Sequence, residues 1–269
     1  MLHSAKSLEK TEIRGTDDII GRIDDVLFDD RFWHVRYFVV DTGVWLSGRR
    51  VLISPLAIRA ESSTDLSRLV AQLTQEQVRR SPSFDDKAPP TREQEATLHA
   101  HYQWPPYWAG AVPLSGDVLP DPVASPATAN AGAADENRGE APAAERRDAP
   151  TDAVDRLAND PHLRSAREVR GHRIAATDGE IGHVEDFLVD ARTWQIRYLV
   201  VDTRNWWPGR KVVIAPMWLN RVSWTEKKVF VDLTRDAIKA SPEYNEARTF
   251  TRDYADQLHR HYHREPHTW

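Results

Sequence analysis

Apolar and polar residues alternate in short runs along both halves of the chain, a period of two that is typical of β-strands. In the second half, one run covers residues 181–189 after a turn at 177–180, and another covers 194–201. The latter run is apolar on both faces. We therefore expect one face inside a barrel and the other covered by a C-terminal arm, a second domain or another subunit. Five or six such strands indicate a small closed or nearly closed β-barrel.

The pattern occurs twice, because the chain contains an internal duplication. Residues 2–55 align with residues 163–216 at a shift of 161, and 25 of the aligned positions are identical. After a gap of one residue, the alignment continues to Tyr102 and Tyr262. Two copies are too few for a solenoid, so the sequence predicts two tandem domains of one fold.

The duplication divides the chain into three segments. Residues 1–108 form the first predicted barrel with its arm, and residues 159–269 form the second. Residues 109–158 are rich in Ala, Pro, Gly and acidic residues and contain no aromatic residue. Such a segment buries too little apolar surface to offset its ordering entropy, so we predict a disordered, semi-extended linker.

Each copy ends in a predicted helical arm. In the second copy, Tyr254, Leu258 and Tyr262 would lie on one stripe of an amphipathic helix. In the first copy, residues 93–102 take this part and lead into the aromatic tail 104–108. The tail is too apolar to remain in solvent, so we expect it to dock on a barrel.

Composition narrows the possible functions. The 269 residues carry a formal net charge of −5, which argues against a general nucleic-acid binder, since such proteins need a concentrated basic face. The absence of Cys excludes disulfides and thiolate metal sites. No secretory signal and no run of about 18 apolar residues is visible, so we expect no membrane span and a cytoplasmic location.

The sequence contains no nucleophile motif and no Gly-rich phosphate loop, so we predict no catalytic residues, no cofactor and no enzymatic activity. Several carboxylates recur in both copies and could do acid–base work or bind a cation, but turn formation is the ordinary explanation for Asp at these positions. These residues are Asp25, Asp29, Asp41, Asp186, Asp190 and Asp202.

Arg36 and Arg197 lie among apolar neighbours in the middle of a strand. An unpaired buried charge is costly, so we expect each guanidinium to have a partner. An ion pair with Asp25 or Asp186 of the same copy is one possibility, and contact with an anion or a binding partner is another.

The C-terminal arm is rich in histidine. His259 and His263 are four residues apart and could share a Zn²⁺ or Ni²⁺ ion on a helix. No carboxylate follows at a suitable spacing for a third ligand, and a polar helix face is the ordinary explanation. We therefore predict no metal site.

Aromatic and basic residues lie together in the loop after the central strand of each copy. They are Trp45, Arg49, Trp206, Trp207 and Arg210. Such residues can stack nucleic-acid bases, close the end of a barrel or form a protein-binding hot spot. Because the chain is acidic overall, we expect packing or protein contact, and these five residues are the candidate partner site.

The second copy resembles the PRC-barrel family, and the first copy resembles it too but departs from the pattern at Asp18 and Ile19. The residues that carry the match are Thr177, Asp178, Gly179, Gly182, Asp186, Asp190, Trp194, Arg197, Tyr198, Asp202, Thr203, Gly209, Arg210 and Pro216. The resemblance implies a six-stranded β-barrel, as in the cytoplasmic part of the photosynthetic reaction-centre H subunit and the C-terminal domain of a ribosome-maturation factor. Those relatives bind macromolecules or tune an electron-transfer centre, and the family supplies no catalytic residues.

The sequence thus predicts a mainly β protein with two tandem six-stranded PRC-type barrels, short helical C-terminal arms and an Ala/Pro-rich linker. The leading hypothesis is a non-enzymatic scaffold that binds a protein partner, with the barrels packed on each other or in a homo-oligomer. Two alternatives rest on the resemblance. One is an RNA- or ribosome-associated factor, and the other is an accessory protein of a photosynthetic or electron-transfer membrane complex.

Overall fold

The computed structural model of the protein describes residues 1–59, 68–85, 88–108, 162–203 and 210–264. The fold is mainly β, with two seven-stranded sheets and a few short helices, as the sequence predicts. The predicted linker at 109–158 lies outside the described residues.

The first copy begins with strand β1 (Leu2–Ser4) and the helical turn α1 (Ala5–Leu8). Its sheet then contains β2 (Glu12–Arg14), β3 (Ile19–Asp29), β4 (His34–Asp41), β5 (Arg50–Ile53), β6 (Ile58–Arg59) and β7 (Arg68–Ala71). Two helices complete the copy, α2 (Gln75–Arg79) and α3 (Arg92–Tyr102). Hydrogen bonds order the strands β5-β4-β3-β2-β7-β6, and among the strands described in this copy only β2 and β7 pair in parallel.

The second copy repeats this plan. It begins with β8 (Leu163–Ser165) and the helical turn α4 (Ala166–Val169). The strands that follow are β9 (Arg173–Ala176), β10 (Gly179–Asp190), β11 (Ile196–Asp202), β12 (Lys211–Ile214), β13 (Leu219–Ser223) and β14 (Lys228–Val231). The helices are α5 (Arg235–Ala240) and α6 (Arg252–His261), and the strand order is β12-β11-β10-β9-β14-β13.

Six strands from each copy confirm the predicted strand number. Full closure of the barrel is not observed, because within the described residues no hydrogen bonds join the end strands β5 and β6, or β12 and β13. The helix caps follow the sequence rules. Thr234 Oγ1 accepts the N–H of Ala237 at 3.2 Å, as expected of an N-cap residue.

The N-terminal strands are exchanged between the copies. Strand β1 pairs antiparallel with β10, where Leu2 lies opposite Asp190. In the same way β8 pairs antiparallel with β3, where Leu163 lies opposite Asp29. Each copy therefore supplies the seventh strand of the other copy's sheet.

The turns that follow β3 and β10 meet at the junction of the two copies. The backbone N–H of Val35 donates to Trp194 O at 2.8 Å, and that of Ile196 donates to Trp33 O at 2.7 Å. Trp33 and Trp194 both take a left-handed backbone conformation, with φ of 58° and 57°. The same tight turn thus serves both halves of a nearly two-fold arrangement.

One hydrophobic core runs through both copies. The ring of Phe28, which is fully buried, lies 5.4 Å from the ring of Phe187, centroid to centroid. Phe38 meets Trp194 edge to face at 5.1 Å. Aromatic residues from one copy therefore complete the interior of the other.

The C-terminal arms cover the outer faces of the sheets. An arm was one of the three possibilities that the sequence left open for this face, beside a second domain and another subunit. In the second copy, Tyr198 lies 4.9 Å from Phe250, centroid to centroid. The predicted stripe on α6 is confirmed, since Leu258 and Tyr262 are buried and Tyr254 is half-buried. The tail of the first arm docks as expected, with the Arg36 guanidinium carbon 4.0 Å from the centre of the Tyr107 ring.

Candidate functional site

The 3-10 turn Gly43–Leu46 between β4 and β5 presents apolar residues to solvent. Trp45 lies half-buried and its Nε1–H donates to Ile20 O at 2.7 Å, which fixes the turn to strand β3. Val44, which precedes Trp45 in the turn, is 99% exposed, and Ile19, which precedes the acceptor Ile20, is exposed as well. We call Ile19, Val44 and Trp45 the turn surface. It is an apolar group held on a rigid support.

The basic residues of the predicted partner site are engaged within the chain. Arg49 donates from Nη1 to Arg79 O at 3.1 Å and from Nη2 to Ser81 O at 2.5 Å. Arg210 donates in the same way to Ser241 O. The two guanidinium groups thus tie the loop to the C-terminal end of α2 in the first copy and of α5 in the second. Trp206 and Trp207 lie outside the described residues.

Arg36 and Arg197 are paired, but with other carboxylates than the two considered from the sequence. Arg36 Nη2 lies 3.3 Å from Asp29 Oδ2, and Arg197 Nη2 lies 3.7 Å from Asp190 Oδ2. The pairing with Asp25 or Asp186 is therefore wrong. Asp29 also stabilises the turn, because its Oδ1 accepts the backbone N–H groups of Arg31 and Phe32 at 2.8 and 3.2 Å.

Asp25 and Asp186 instead hold the exchanged segments. Asp186 accepts the hydroxyl of Ser4 and the backbone N–H of Lys6, the latter at 3.1 Å. Asp25 accepts the hydroxyl of Ser165 and the backbone N–H of Arg167, the latter at 3.2 Å. Burial raises the pKa of Asp186, and these hydrogen bonds partly offset that effect. The two carboxylates therefore fix each swapped helical turn to the opposite sheet.

A second carboxylate in each copy adds ion pairs to this contact. Asp24 lies 3.0 Å from Arg50 Nη2 and 2.9 Å from Arg167 Nη2, measured to its carboxylate oxygens. Its counterpart Glu185 pairs with the exchanged Lys6 and lies 3.6 Å from Lys211 Nζ. Asp24 and Glu185 thus each form ion pairs with one basic residue of their own copy and one of the other copy.

Glu185 also belongs to a group of possible metal ligands. Ligand atoms of His183, Glu185 and Asp202 all lie within 4.8 Å of one another. A divalent cation here would compete with the two lysine ammonium groups that already neutralise Glu185. The first copy has Arg22 in place of His183. Of these three residues, Glu185 forms the ion pair with Lys6 of the other copy.

The histidines of the second arm lie in different surroundings. His259 is buried, and its ring lies 5.1 Å from that of Trp218. Helix α6 ends at His261, and His263 lies beyond it, exposed and with a left-handed φ of 52°. The spacing of four residues consequently does not place His259 and His263 together on a helix face.

A buried polar cluster, which the sequence reasoning missed, holds the first arm. Glu95 is fully buried, and its carboxylate accepts the hydroxyl of Tyr37 at 3.0 Å and that of Tyr107 at 2.5 Å. The same carboxylate lies 3.0 Å from Arg92 Nη1 and 3.1 Å from His162 Nε2. The Glu95 side chain therefore joins four parts of the chain: strand β4, helix α3, the aromatic tail and the residue that precedes β8.

Burial dominates the electrostatics of this cluster. It raises the pKa of Tyr37 and of Tyr107, and the neighbouring Glu95 carboxylate raises both further. It lowers the pKa of His99, whose Nε2 lies 2.7 Å from the Tyr37 hydroxyl. The signal in the sequence was a Glu on the buried stripe of the arm, at a position where the second copy has Ala255.

Comparison with known proteins agrees with this architecture. The family model described as the PRC-barrel domain matches residues 2–65 and 161–238, one stretch in each copy. An uncharacterized protein of Deinococcus radiodurans is similar to the chain, with 33% identity over 78 residues. That stretch is 29% of this chain and 27% of the relative, so the chain matches about a quarter of the relative's length.

Each copy places its six strands in the same order, and each contains one stretch that the family model matches. Among the helices that the structure describes, none combines the length and the apolar character needed to cross a bilayer. The conserved plan of the two sheets and the two matched stretches lead to one conclusion: the chain belongs to the PRC-barrel domain family, of which it carries two copies.

Proposed function

We propose that the protein is a non-enzymatic scaffold that binds another protein through the turn surface. The observation that carries the proposal is Val44, an apolar side chain that is 99% exposed on a turn fixed by the Trp45 hydrogen bond to β3. Tryptophan is enriched in protein-binding hot spots, and a side chain that the fold already holds in place loses little entropy on binding. The half-buried Trp45, held by its hydrogen bond to Ile20, is therefore the anchor of the proposed site, and Val44 is its exposed apolar neighbour.

The charges around the loop favour a protein over a nucleic acid. A nucleic-acid partner would need free guanidinium groups for its phosphates. Arg49 already donates to two backbone carbonyls, and Arg210 donates to one. Arg79 lies with its guanidinium carbon 5.9 Å from the centre of the Trp45 ring, and its Nη1 donates to Glu76 Oε2 at 2.9 Å, so this cation is engaged as well.

The ionisable clusters support a non-catalytic role. The carboxylates of Glu95 and Asp186 are buried and accept hydrogen bonds from hydroxyl groups of the chain itself. A general base must instead be able to reach a proton on a substrate. These groups act by joining elements of the fold.

Val44→Asp tests the proposal, since the exposed side chain contributes little to folding. Tagged wild-type and variant chains would capture partners from cells after mild cross-linking, and mass spectrometry would quantify each captured protein. We expect a charge at the centre of a hot spot to cost about 2 kcal/mol or more, which is roughly a thirtyfold loss of the specific partner.

Met217→Asp is the matched control, because Met217 is also an exposed apolar residue, at 57%, but belongs to the second copy. It should leave capture of the specific partner unchanged. Equal capture by wild type and Val44→Asp, with both folded by circular dichroism, would remove the turn surface as the site. RNA binding at low salt that disappears on raising the salt would favour the ribosome-associated alternative instead.

A further inference from the structure

A cavity of about 160 Å³ lies beside helix α3 in the first copy. Leu52, Phe84, Pro90 and Leu98 form its apolar lining, and Gln94 and Thr97 lie on its rim. Leu52 and Leu98 are buried, whereas Gln94 and Thr97 are exposed, so the floor is apolar and the mouth faces solvent. We call this space the helix cavity.

In the second copy, a side chain of the protein itself occupies the position that corresponds to the helix cavity. The arms align at a shift of 160, so Gln94 corresponds to Tyr254 and Pro82 corresponds to Pro242. The hydroxyl of Tyr254 donates to Pro242 O at 3.1 Å. The phenol ring therefore crosses the gap between the arm helix and the segment before it, which is the gap that stays open in the first copy.

Two substitutions leave the first copy open. Gln94 turns back toward the start of its helix, where its Oε1 accepts the N–H of Thr91 at 2.9 Å in a capping box. Pro90 stands where the second copy has Phe250, whose ring lies 5.1 Å from that of Tyr254. Two aromatic rings of the second copy thus have no counterpart in the first.

The size of the helix cavity matches one aromatic ring. A cavity of about 150 Å³ lined by aliphatic and aromatic side chains accepts benzene. The helix cavity has a similar volume, but it is open to solvent, and the polar residues Ser83, Glu93, Gln94 and Thr97 line it together with the apolar ones. Pro82 lines it as well, and in the second copy the carbonyl at this position accepts the phenol hydroxyl. The site therefore offers an apolar slot for a ring together with a polar contact for a hydroxyl.

We propose that the helix cavity binds a phenol ring, and that the ring is the side chain of a tyrosine on another polypeptide. The source is a tyrosine because the second copy fills the equivalent space with the tyrosine of its own arm. This site lies on the arm, apart from the turn surface, so it adds a second point of attachment and does not depend on the first.

The test is an NMR titration of the full chain with p-cresol, which is the side chain of tyrosine as a free molecule. We expect saturable shifts at the amides of Thr97 and Leu98, and weaker binding of toluene, which lacks the hydroxyl. A tyrosine flanked by glycines in a capped tripeptide should cause the same shifts. Shifts with p-cresol but none with the tripeptide would overturn the assignment to tyrosine in favour of a free phenol.

Gln94→Tyr should fill the cavity as Tyr254 does and weaken binding of p-cresol by at least about tenfold. The matched control Gln94→Ala keeps the cavity open, so its affinity should stay within about threefold of wild type. Thr97→Trp on the exposed rim provides an independent block. Absence of saturable shifts in the wild type, or equal titration of the wild type and both blocked variants, would overturn the proposal.

Discussion

Phe28→Ala tests whether the two copies share one core. The side chain is fully buried, and its ring lies 5.4 Å from both Trp33 and Phe187. Truncation of a buried Phe to Ala costs about 3–5 kcal/mol, which is a large part of the 5–15 kcal/mol typical of a folded protein. Because Phe187 belongs to the other copy, part of that loss falls on the second sheet.

Hydrogen exchange with mass spectrometry can assign the loss to each copy. We expect the exchange rates of the β12 amides, in the other copy, to increase by the same factor as the exchange rates of the β5 amides. A loss of 3–5 kcal/mol corresponds to about a hundredfold to several thousandfold. This outcome requires that both copies open together, which a shared core and exchanged strands both demand.

Phe32→Ala is the matched control, because Phe32 is in the adjacent turn but is 64% exposed. It should change the free energy of unfolding by less than about 0.5 kcal/mol. The reasoning would be refuted if Phe28→Ala accelerated exchange in the first copy while the β12 amides kept their wild-type protection. Two separate calorimetric transitions would refute it equally.

Three further predictions concern the polar groups. Asp186→Ala should destabilise the fold by about 1–3 kcal/mol in urea unfolding, because Ser4 and the N–H of Lys6 lose their acceptor, whereas Asp232→Ala on the surface should have little effect. Glu95→Ala should cost about 3–5 kcal/mol, since Arg92 and the Tyr107 hydroxyl are left without their carboxylate, and Trp108 fluorescence should shift as the tail is released. Burial raises the pKa of Tyr198 and of Tyr262 to about 12, so the unfolded chain loses these protons first above pH 10. Stability should therefore fall by about 1.4 kcal/mol per pH unit for each tyrosine between pH 10 and 12, and Tyr198→Phe should reduce the slope of the urea midpoints in this range.

Local chemistry explains what the sequence could predict. Turns, caps and arm stripes depend on residues close together in the chain, such as Thr234 with the N–H three residues later. The predicted hairpin turn at Asp29 follows from the same kind of contact. The repeat then transfers each local prediction from one copy to the other.

The exchange of strands could not be predicted, because the two possible pairings use the same residues. Leu2 and Ser4 are identical to Leu163 and Ser165, and the acceptors Asp25 and Asp186 are identical as well. A strand from either copy therefore satisfies either sheet equally well in local terms. Only the path of the whole chain distinguishes the two arrangements.

The partner of Arg36 was mispredicted for a geometric reason. The pairing of β3 with β4 shifts register between Leu27 and Phe28, so that Leu27 lies opposite Tyr37 while Phe28 lies opposite Val35. Arg36 lies at this bulge, and the bulge brings its side chain to Asp29. Strand alternation alone carries no information about where a bulge occurs.

The two copies share a fold but hold their arms by different means. The second copy fills the gap under its helix with the rings of Tyr254 and Phe250, and the Tyr254 hydroxyl adds a hydrogen bond to Pro242 O. The first copy has Pro90 and Gln94 at these positions and holds its arm with the buried carboxylate of Glu95. A buried charge is an expensive way to fasten a helix where apolar packing would serve. The Glu95 cluster thus keeps the arm in place although the helix cavity beside it stays open.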